Sequence, residues 1–410
     1  MINNILLLTP MYPATDMPAV DTPVVHYFAK EWIVQGYNVI VVHYPVNFPN
    51  IIYFLAKPFR DIIGTLTGGP IRVKPTFEAS YHYEGVLVKR VPMLKLLPHS
   101  RYSKKQIMSA VTKTISFCED RAFFPDVIIS HFVNPQMEIM QLLKLHYNVP
   151  TCYVAHDNGV DLRGIYKNKA DNFLSDIDVI GYRSNTIRYE FESFFPMAKS
   201  KHSFICYSGI PTGFLPSEKM HHDFSKIQRF IFVGSLIKRK YPSLLIRAIS
   251  DAFKDDNFSL CYVGSGAEKS KIINEANKRG VSDKVRVLGR IERSRVAKEL
   301  NESDVFVMIS KNETFGLVYL EAMARGCITI ASRNEGFDGI IIDGVNGYLC
   351  NAGDCEELTS LLLKIRNTSV KQLNTISENA MATAANMTDS IAARAYIDNV
   401  IKGINCNDNI

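Results

Sequence analysis

The sequence predicts an α/β protein built from two doubly wound domains, each a mainly parallel sheet covered by helices on both faces. Three observations predict it. Short β-branched apolar runs alternate with helix-length periodic segments, as parallel strands buried on both faces require. The whole pattern restarts near Ile227. The chain has 410 residues, more than a single hydrophobic core ordinarily serves.

In the first half, Asn4–Leu8, Asn38–His43, Val86–Val91, Val127–Ser130 and Thr151–Ala155 read as strands, and Val24–Gln35 and Gln136–His146 as helices between them. In the second half the strands are Arg229–Val233, Ser259–Val263, Lys284–Leu288, Val305–Ile309, Cys327–Ala331 and Tyr348–Cys350. Their intervening helices are Tyr241–Phe253, Ala267–Arg279, Arg293–Asn301, Leu317–Arg325 and Cys355–Ile365. The seam falls in Gly209–Pro216 and the polar stretch after it, rich in turn residues. The expected division is 1–215 for the N-terminal domain, 216–385 for the second, and 386–410 for a terminal helix returning to the first. Thr388–Ile401 has a helical pattern, with a frayed end over Asn405–Asn409. Doubly wound sheets bind ligands beyond the carboxyl ends of their strands, so a cleft between two such domains is the expected site.

Composition narrows the function classes. Apolar residues make up 47% and charged residues 21%, a globular profile without biased segments. No run approaches the roughly 20 apolar residues that span a bilayer. Met1–Pro10 lacks the basic start of a signal peptide and reads as a first buried strand. The eight cysteines are scattered, without CxxC or zinc-ligand spacing, as expected of reduced thiols in a cytoplasmic protein. A net charge of +6 suits an anionic substrate or membrane surface, and no motif points to nucleic acid.

The most informative stretch is Ser310–Gly326, SKNETFGLVYLEAMARG, which follows a buried strand. Gly316 permits close backbone approach where a helix begins, and the unpaired amides of Leu317 and Val318 suit a diphosphate. Glu313 stays on the preceding bend, while Glu321 lies about one turn into the helix. Two such carboxylates can accept hydrogen bonds from vicinal hydroxyls of a ribose and of a transferred sugar.

This stretch resembles the E-x7-E segment of retaining glycosyltransferases of the GT-B fold, family 4 in particular. The likeness continues through Cys327–Ser332 and Asp343–Leu349 and reaches back to Ser303–Val307. It runs in order along nearly the whole chain, with its specific motifs in the second domain. The resemblance implies two Rossmann-like domains facing a cleft. It further implies transfer with retention of configuration, and without a metal or other cofactor, from a nucleotide diphosphate sugar. Glu321 would hold the ribose, and Glu313 and His156 the transferred sugar.

Other segments fit this reading. Ile231–Lys240 is a strand, a glycine turn at Gly234 and a basic cluster, able to place cations on a pyrophosphate and on the charge of a departing nucleotide. It is similar to the family's glycine–arginine–spacer–lysine element: Lys240 takes the lysine position, Ser235 replaces the arginine, and Arg239 or Lys238 is placed to compensate. Gly264-Ser265-Gly266 lacks a full dinucleotide fingerprint, since position 269 is Lys269, and reads as a turn opening a helix. By resemblance, Gly289, Arg290 and Ile291 contact the nucleotide base. His156 ends a buried strand, with Asp157 beside it and Arg183 at the end of another. Asp176-Ile177-Asp178 spells a metal motif of a different glycosyltransferase architecture, but reads here as a helix-to-strand turn. The family's glycine-rich first loop is replaced by Thr9–Pro13 and Pro18–Pro23.

Between Ile51 and Lys105, Lys57, Arg60, Arg72, Lys74, Lys89, Arg90, Lys95, Arg101, Lys104 and Lys105 outnumber the acidic residues and are interleaved with apolar ones. A solvated rim over a buried helix and a peripheral contact with anionic lipid both fit this composition. The expected partners are a nucleotide sugar and a polysaccharide, glycolipid or lipid-linked acceptor. A catalytically silent partner that binds a nucleotide sugar or glycan is the competing reading, suggested by Ser235 and the altered amino-terminal loop. A nicotinamide oxidoreductase is disfavoured by the missing glycine fingerprint.

Overall fold

The computed structural model describes residues 2–17, 23–59, 74–96, 100–216, 222–254 and 256–407. They divide into two compact units, which break in sequence at Ser208/Gly209 and Thr388/Asp389. The second unit is Gly209–Thr388, and the terminal helix from Asp389 belongs to the first.

The described strands of the first unit are β1 (Asn4–Thr9), β2 (Asn38–His43), β3 (Val46–Asn47), β4 (Ala79–Tyr83), β5 (Val86–Arg90), β6 (Met93–Leu94), β7 (Val127–His131), β8 (Thr151–Ala155), β9 (Val179–Tyr182) and β10 (His202–Ile205). Eight form one sheet in the order β10-β9-β8-β7-β1-β2-β5-β4, while β3 and β6 pair separately. All neighbours in the large sheet are parallel except the β4–β5 hairpin, whose turn places Glu84 and Gly85 at positive φ. Strand alternation divides β1 between the two faces. Leu6 and Leu8 join one core cluster, and Ile5 and Leu7 join the other with Trp32 and Tyr396. The terminal helix Asp389–Asn407 covers the second face: the Trp32 Nε1–H donates to the Ala393 carbonyl at 2.9 Å, and Gln35 Nε2 donates to the Ser390 carbonyl.

The second unit holds β11 (Arg229–Val233), β12 (Ser259–Val263), β13 (Val285–Gly289), β14 (Val305–Val307), β15 (Ile328–Ser332) and β16 (Tyr348–Cys350). They form one parallel sheet in the order β13-β12-β11-β14-β15-β16. Sheet growth therefore reverses between β11 and β14, where loops leaving the two strands diverge and leave a crevice at their carboxyl ends. In the first unit the corresponding reversal lies between β1 and β7.

Three differences from the sequence reading have physical causes. The edge strand β4 is half-buried and mixes polar with aromatic residues, so it carries no continuous apolar run. Helix Val370–Ala385, capped by Ser369 onto the Gln372 amide, is rich in Ala, Thr and Asn and lacks a broad apolar stripe. The terminal helix extends to Asn407 through the segment expected to fray. Among the described residues no helix is long and apolar enough to cross a membrane. Six of the eight cysteines are buried free thiols, with Cys355 part-exposed and Cys406 exposed.

Candidate functional site

In the second unit the reversal point is lined by glycine turns. Gly234, Gly264 and Gly289, all at positive φ, follow or end the adjacent strands β11, β12 and β13. A side chain at Gly264 would put its Cβ 1.9 Å from the Gly234 carbonyl oxygen, so the turns pack backbone to backbone.

The loop after β11 carries Lys240 and the loop after β14 carries Glu313. The Lys240 ammonium lies 3.0 Å from Glu313 Oε2, and each side chain is 11% exposed. A neighbouring Lys240 contact is Met308 Sδ, at 3.5 Å. Arg239 ties the same loops together: its Nη1 donates to the carbonyls of Lys311 and Asn312 at 3.2 Å and lies 3.4 Å from Glu313 Oε2. The Lys311 amide returns a bond to the Arg239 carbonyl at 2.8 Å. Glu335, which the sequence did not single out, accepts the Glu313 amide at 2.7 Å.

Gly316 then starts helix Leu317–Ala324 in the left-handed conformation, with no side-chain cap. A Cβ there would lie 2.3 Å from the Tyr319 ring, whose hydroxyl donates to the Met308 carbonyl at 2.7 Å. Close packing of Tyr319 thus demands glycine at the bend, and the amides of Leu317 and Val318 have no capping side chain. Lys240, Arg239, Glu313 and Gly316 are brought together by these contacts, with Gly234 against Lys240 Nζ.

Glu321 has a different setting. It is buried at 7% exposure. Arg293 Nε and Nη2 both converge on its Oε1, at 2.8 and 2.5 Å. Burial raises the Glu321 pKa, and the charges of Arg293 and Arg325 oppose that rise. Both guanidiniums lie over the ring of Phe214, at 5.3 and 4.9 Å. Arg293 escaped the sequence reading, yet it had a signal: a helix opening Arg293-Ser294-Arg295 places cations against the positive end of its own dipole. Immediately before it, Arg290 and Ile291 line an open hollow of about 530 Å³ with Glu292 and Arg295. Ser235 is half-buried in the turn after Gly234.

In the first unit His156 follows β8. Its Nε2 lies 2.9 Å from Nδ1 of His131 at the end of β7, and its ring stacks on Phe132 at 3.9 Å. His131 Nε2 meets the Tyr396 hydroxyl of the terminal helix at 3.2 Å. Burial first, then the His131 and Arg183 charges, lowers the His156 pKa well below its usual value. Arg183 is buried and fixed by the Cys206 carbonyl at 2.6 Å and by Ser208. Asp157 caps its own loop by accepting the Gly159 amide at 2.6 Å. Asp178 accepts from Thr151 and Lys144, anchoring the start of β8, and Asp176 accepts from Gln141, so the D-x-D carboxylates serve the fold. Among the described residues no His, Cys, Asp and Glu side chains cluster as metal ligands.

The basic region needs one correction. Arg90 is 4% exposed and forked onto Asp16 at 2.7 Å, and Lys89 is paired with Glu78, so these cations are committed to the fold. The expected rim over a buried helix is also reversed: helix Asn50–Ala56 exposes Ile51, Ile52, Phe54 and Leu55. Arg60, Arg72 and most of the Pro18–Pro23 loop lie outside the described residues.

Comparisons with known proteins bear on the fold and on the second unit. Residues 219–383 match the family model Glycosyl transferases group 1. The chain is similar to an uncharacterized glycosyltransferase, MJ1178, of Methanocaldococcus jannaschii, 27% identical over 304 residues that cover 72% of this chain and 79% of that one. It is 28% identical to the alpha-monoglucosyldiacylglycerol synthase of Acholeplasma laidlawii over 42% of this chain and 44% of that protein. Anabaena Alr3699/HepE, solved with UDP and glucose, superposes with a TM-score of 0.68 at 17% identity, covering 98% of this chain and 99% of that one. At that identity the likeness shows the fold, GT-B with two Rossmann-like domains. The fold class is that of the GT-B glycosyltransferases. Within it, residues 219–383 form a Glycosyl transferases group 1 domain.

The histidine pair yields a pH prediction. Burial, then the Arg183 charge, pushes the His131 pKa down to about 3. Between about pH 6.5 and 3 the unfolded chain binds a proton that the folded ring refuses, so stability falls as pH falls through that window, by about 1.4 kcal/mol per unit for this ring. Urea unfolding at pH 6 and 5 is expected to show this dependence, and His131→Asn to flatten it by about that amount.

Proposed function

We propose that the protein is a retaining, metal-independent glycosyltransferase that moves a sugar from a nucleotide diphosphate sugar to a glycan, glycolipid or lipid-linked acceptor. The observation that carries this reading is the Lys240–Glu313 pair at the β11/β14 reversal, beside the uncapped start of helix Leu317–Ala324. Lys240 has three N–H groups; Glu313 and Met308 engage it without exhausting them, so a diphosphate oxygen has a donor there. The amides of Leu317 and Val318 and the helix dipole add to the same anion site. Arg239 supplies the cation that Ser235 does not.

In the proposed step the bond from the anomeric carbon to the diphosphate oxygen breaks while the acceptor oxygen bonds on the same face. The acceptor's proton passes to the leaving phosphate. Lys240 and the helix amides stabilise the charge growing on the diphosphate, and Glu313 the positive charge on the sugar. Glu321 is assigned the ribose: Arg293 converges on Oε1, leaving Oε2 for the hydroxyls. The hollow beside Gly289, Arg290 and Ile291 is assigned the base, and His156 the transferred sugar. The similarity to an alpha-monoglucosyldiacylglycerol synthase supports a glycolipid acceptor.

We extend the proposal to peripheral contact with the cytoplasmic face of a membrane. Helix Asn50–Ala56 exposes Ile51 at 66%, Phe54 at 76% and Leu55 at 60%, with Lys57 exposed directly after it. Exposed apolar groups next to cations suit an anionic bilayer surface.

Two experiments test these readings. With the donor identified by thermal stabilisation across nucleotide sugars, Glu313→Gln is expected to lower turnover by about 10²–10³-fold while the folded protein still binds the nucleoside diphosphate. Unchanged turnover contradicts the reading. For the membrane contact, the protein should float with anionic vesicles at low salt, and Phe54→Glu with Leu55→Glu should abolish flotation. No recovery of the parent chain with vesicles removes the membrane proposal alone.

A further inference from the structure

The line of polar groups behind His156 is longer than a single glycosyltransferase contact needs. His156, His131 and Tyr396 come from the end of β8, the end of β7 and the terminal helix, widely separated in the chain. His131 is 0% exposed and Tyr396 is 1% exposed, so their polar atoms depend on buried partners: each other and, for the Tyr396 hydroxyl, also the Cys152 thiol. Nε2 of His156 meets Nδ1 of His131 at 2.9 Å, and Nε2 of His131 meets the Tyr396 hydroxyl at 3.2 Å. Arg183 is the charged neighbour, tied to Cys206 and Ser208, and Phe132 stacks on the His156 ring.

A neutral imidazole has one donor nitrogen and one acceptor nitrogen, so this row allows two arrangements only. Either every proton points from Tyr396 towards His156, or every proton points the other way. A phenol is the more acidic donor and an imidazole nitrogen the more basic acceptor, which favours donation from Tyr396. His131 then accepts at Nε2 and donates from Nδ1, His156 accepts at Nε2, and the His156 proton stands on Nδ1.

We infer that Tyr396 and His131 are positioning residues that set the tautomer and ring orientation of His156, so that the terminal helix fixes which hydrogen-bonding face His156 offers to a sugar. The relay itself needs no assumption about turnover. Its consequence for catalysis rests on the role proposed for His156. The neutrality of both rings accords with burial, which keeps His131 deprotonated far below ordinary pH. The arrangement also gives the terminal helix a role beyond covering the sheet. Without Tyr396, the buried Nε2 of His131 keeps no partner from that helix, and either tautomer of the pair becomes accessible.

The test is a long-range proton–nitrogen spectrum of the full chain labelled with ¹⁵N-histidine, with resonances assigned by single-histidine replacement. His131 and His156 are expected to carry their protons on Nδ1 in the parent protein. Tyr396→Phe should lose that single form and give a mixture of tautomers at His156. His131→Asn, whose amide nitrogen stands where Nδ1 was and still donates to His156, should preserve the His156 tautomer, whereas His131→Leu should lose it. In the turnover assay, Tyr396→Phe should lower kcat without raising KM for the donor, and His131→Asn should recover more kcat than His131→Leu. A parent protein with the His156 proton on Nε2, or a His156 tautomer unchanged in both Tyr396→Phe and His131→Leu, overturns the relay. A relay seen in the spectra together with unaltered kcat overturns only the assigned role of His156.

Discussion

The ion pair between Lys240 and Glu313 is the constraint around which the second unit is organised. Neither side chain could be held at 11% exposure without an opposite charge, because a lone buried charge costs several kcal/mol. The pair therefore fixes the loop after β11 against the loop after β14. Arg239 reinforces this through three contacts with residues 311 to 313. The sheet order makes the meeting possible, because β11 and β14 are neighbours in space though separated by two strands in sequence. Glycines complete it: Gly264 lets the turns after β11 and β12 touch, and Gly316 makes room for Tyr319 beneath the bend.

The two units solve the electrostatics of a strand end in opposite ways. The second keeps full charges and pairs them within reach of a helix start, which suits an anionic ligand. The first keeps its titratable rings neutral. His131 and His156 are buried near Arg183, and both rings hold their pKa values far below the usual imidazole range. A neutral imidazole offers directed hydrogen bonds without attracting counterions, a setting suited to sugar hydroxyls. Glu321 stands between these cases: its carboxyl is buried, with a raised pKa, yet held by Arg293.

Much of this was legible in the sequence, for reasons that can be named. The parallel strands stand out because strands buried on both faces are written as unbroken apolar runs, and their order along the chain implied two doubly wound units. Glu313, Gly316 and Glu321 were legible because a bend followed by a helix is a local arrangement, contained within a dozen residues. A basic cluster was legible after a strand and a glycine, and resemblance to the family's glycine–arginine–spacer–lysine element singled out Lys240 within it. What escaped depends on partners distant in the chain. Arg293 reaches Glu321 across 28 positions, and Tyr396 reaches His131 across 265. Arg90 looked like a surface cation because nothing local reveals that Asp16 will bury it. The edge strand β4 and helix Val370–Ala385 escaped for another reason: their apolar faces are narrow, so periodicity gave little contrast.

In the proposed function the carboxyl ends of β11 and β14 form one anion site with the start of helix Leu317–Ala324. Amide hydrogen exchange with and without a nucleoside diphosphate reads this directly. Binding should slow exchange at Leu317 and Val318 and across 234–240, with little change along β15 and β16. A nucleoside diphosphate that binds while leaving both segments as fast as in the free protein would contradict it.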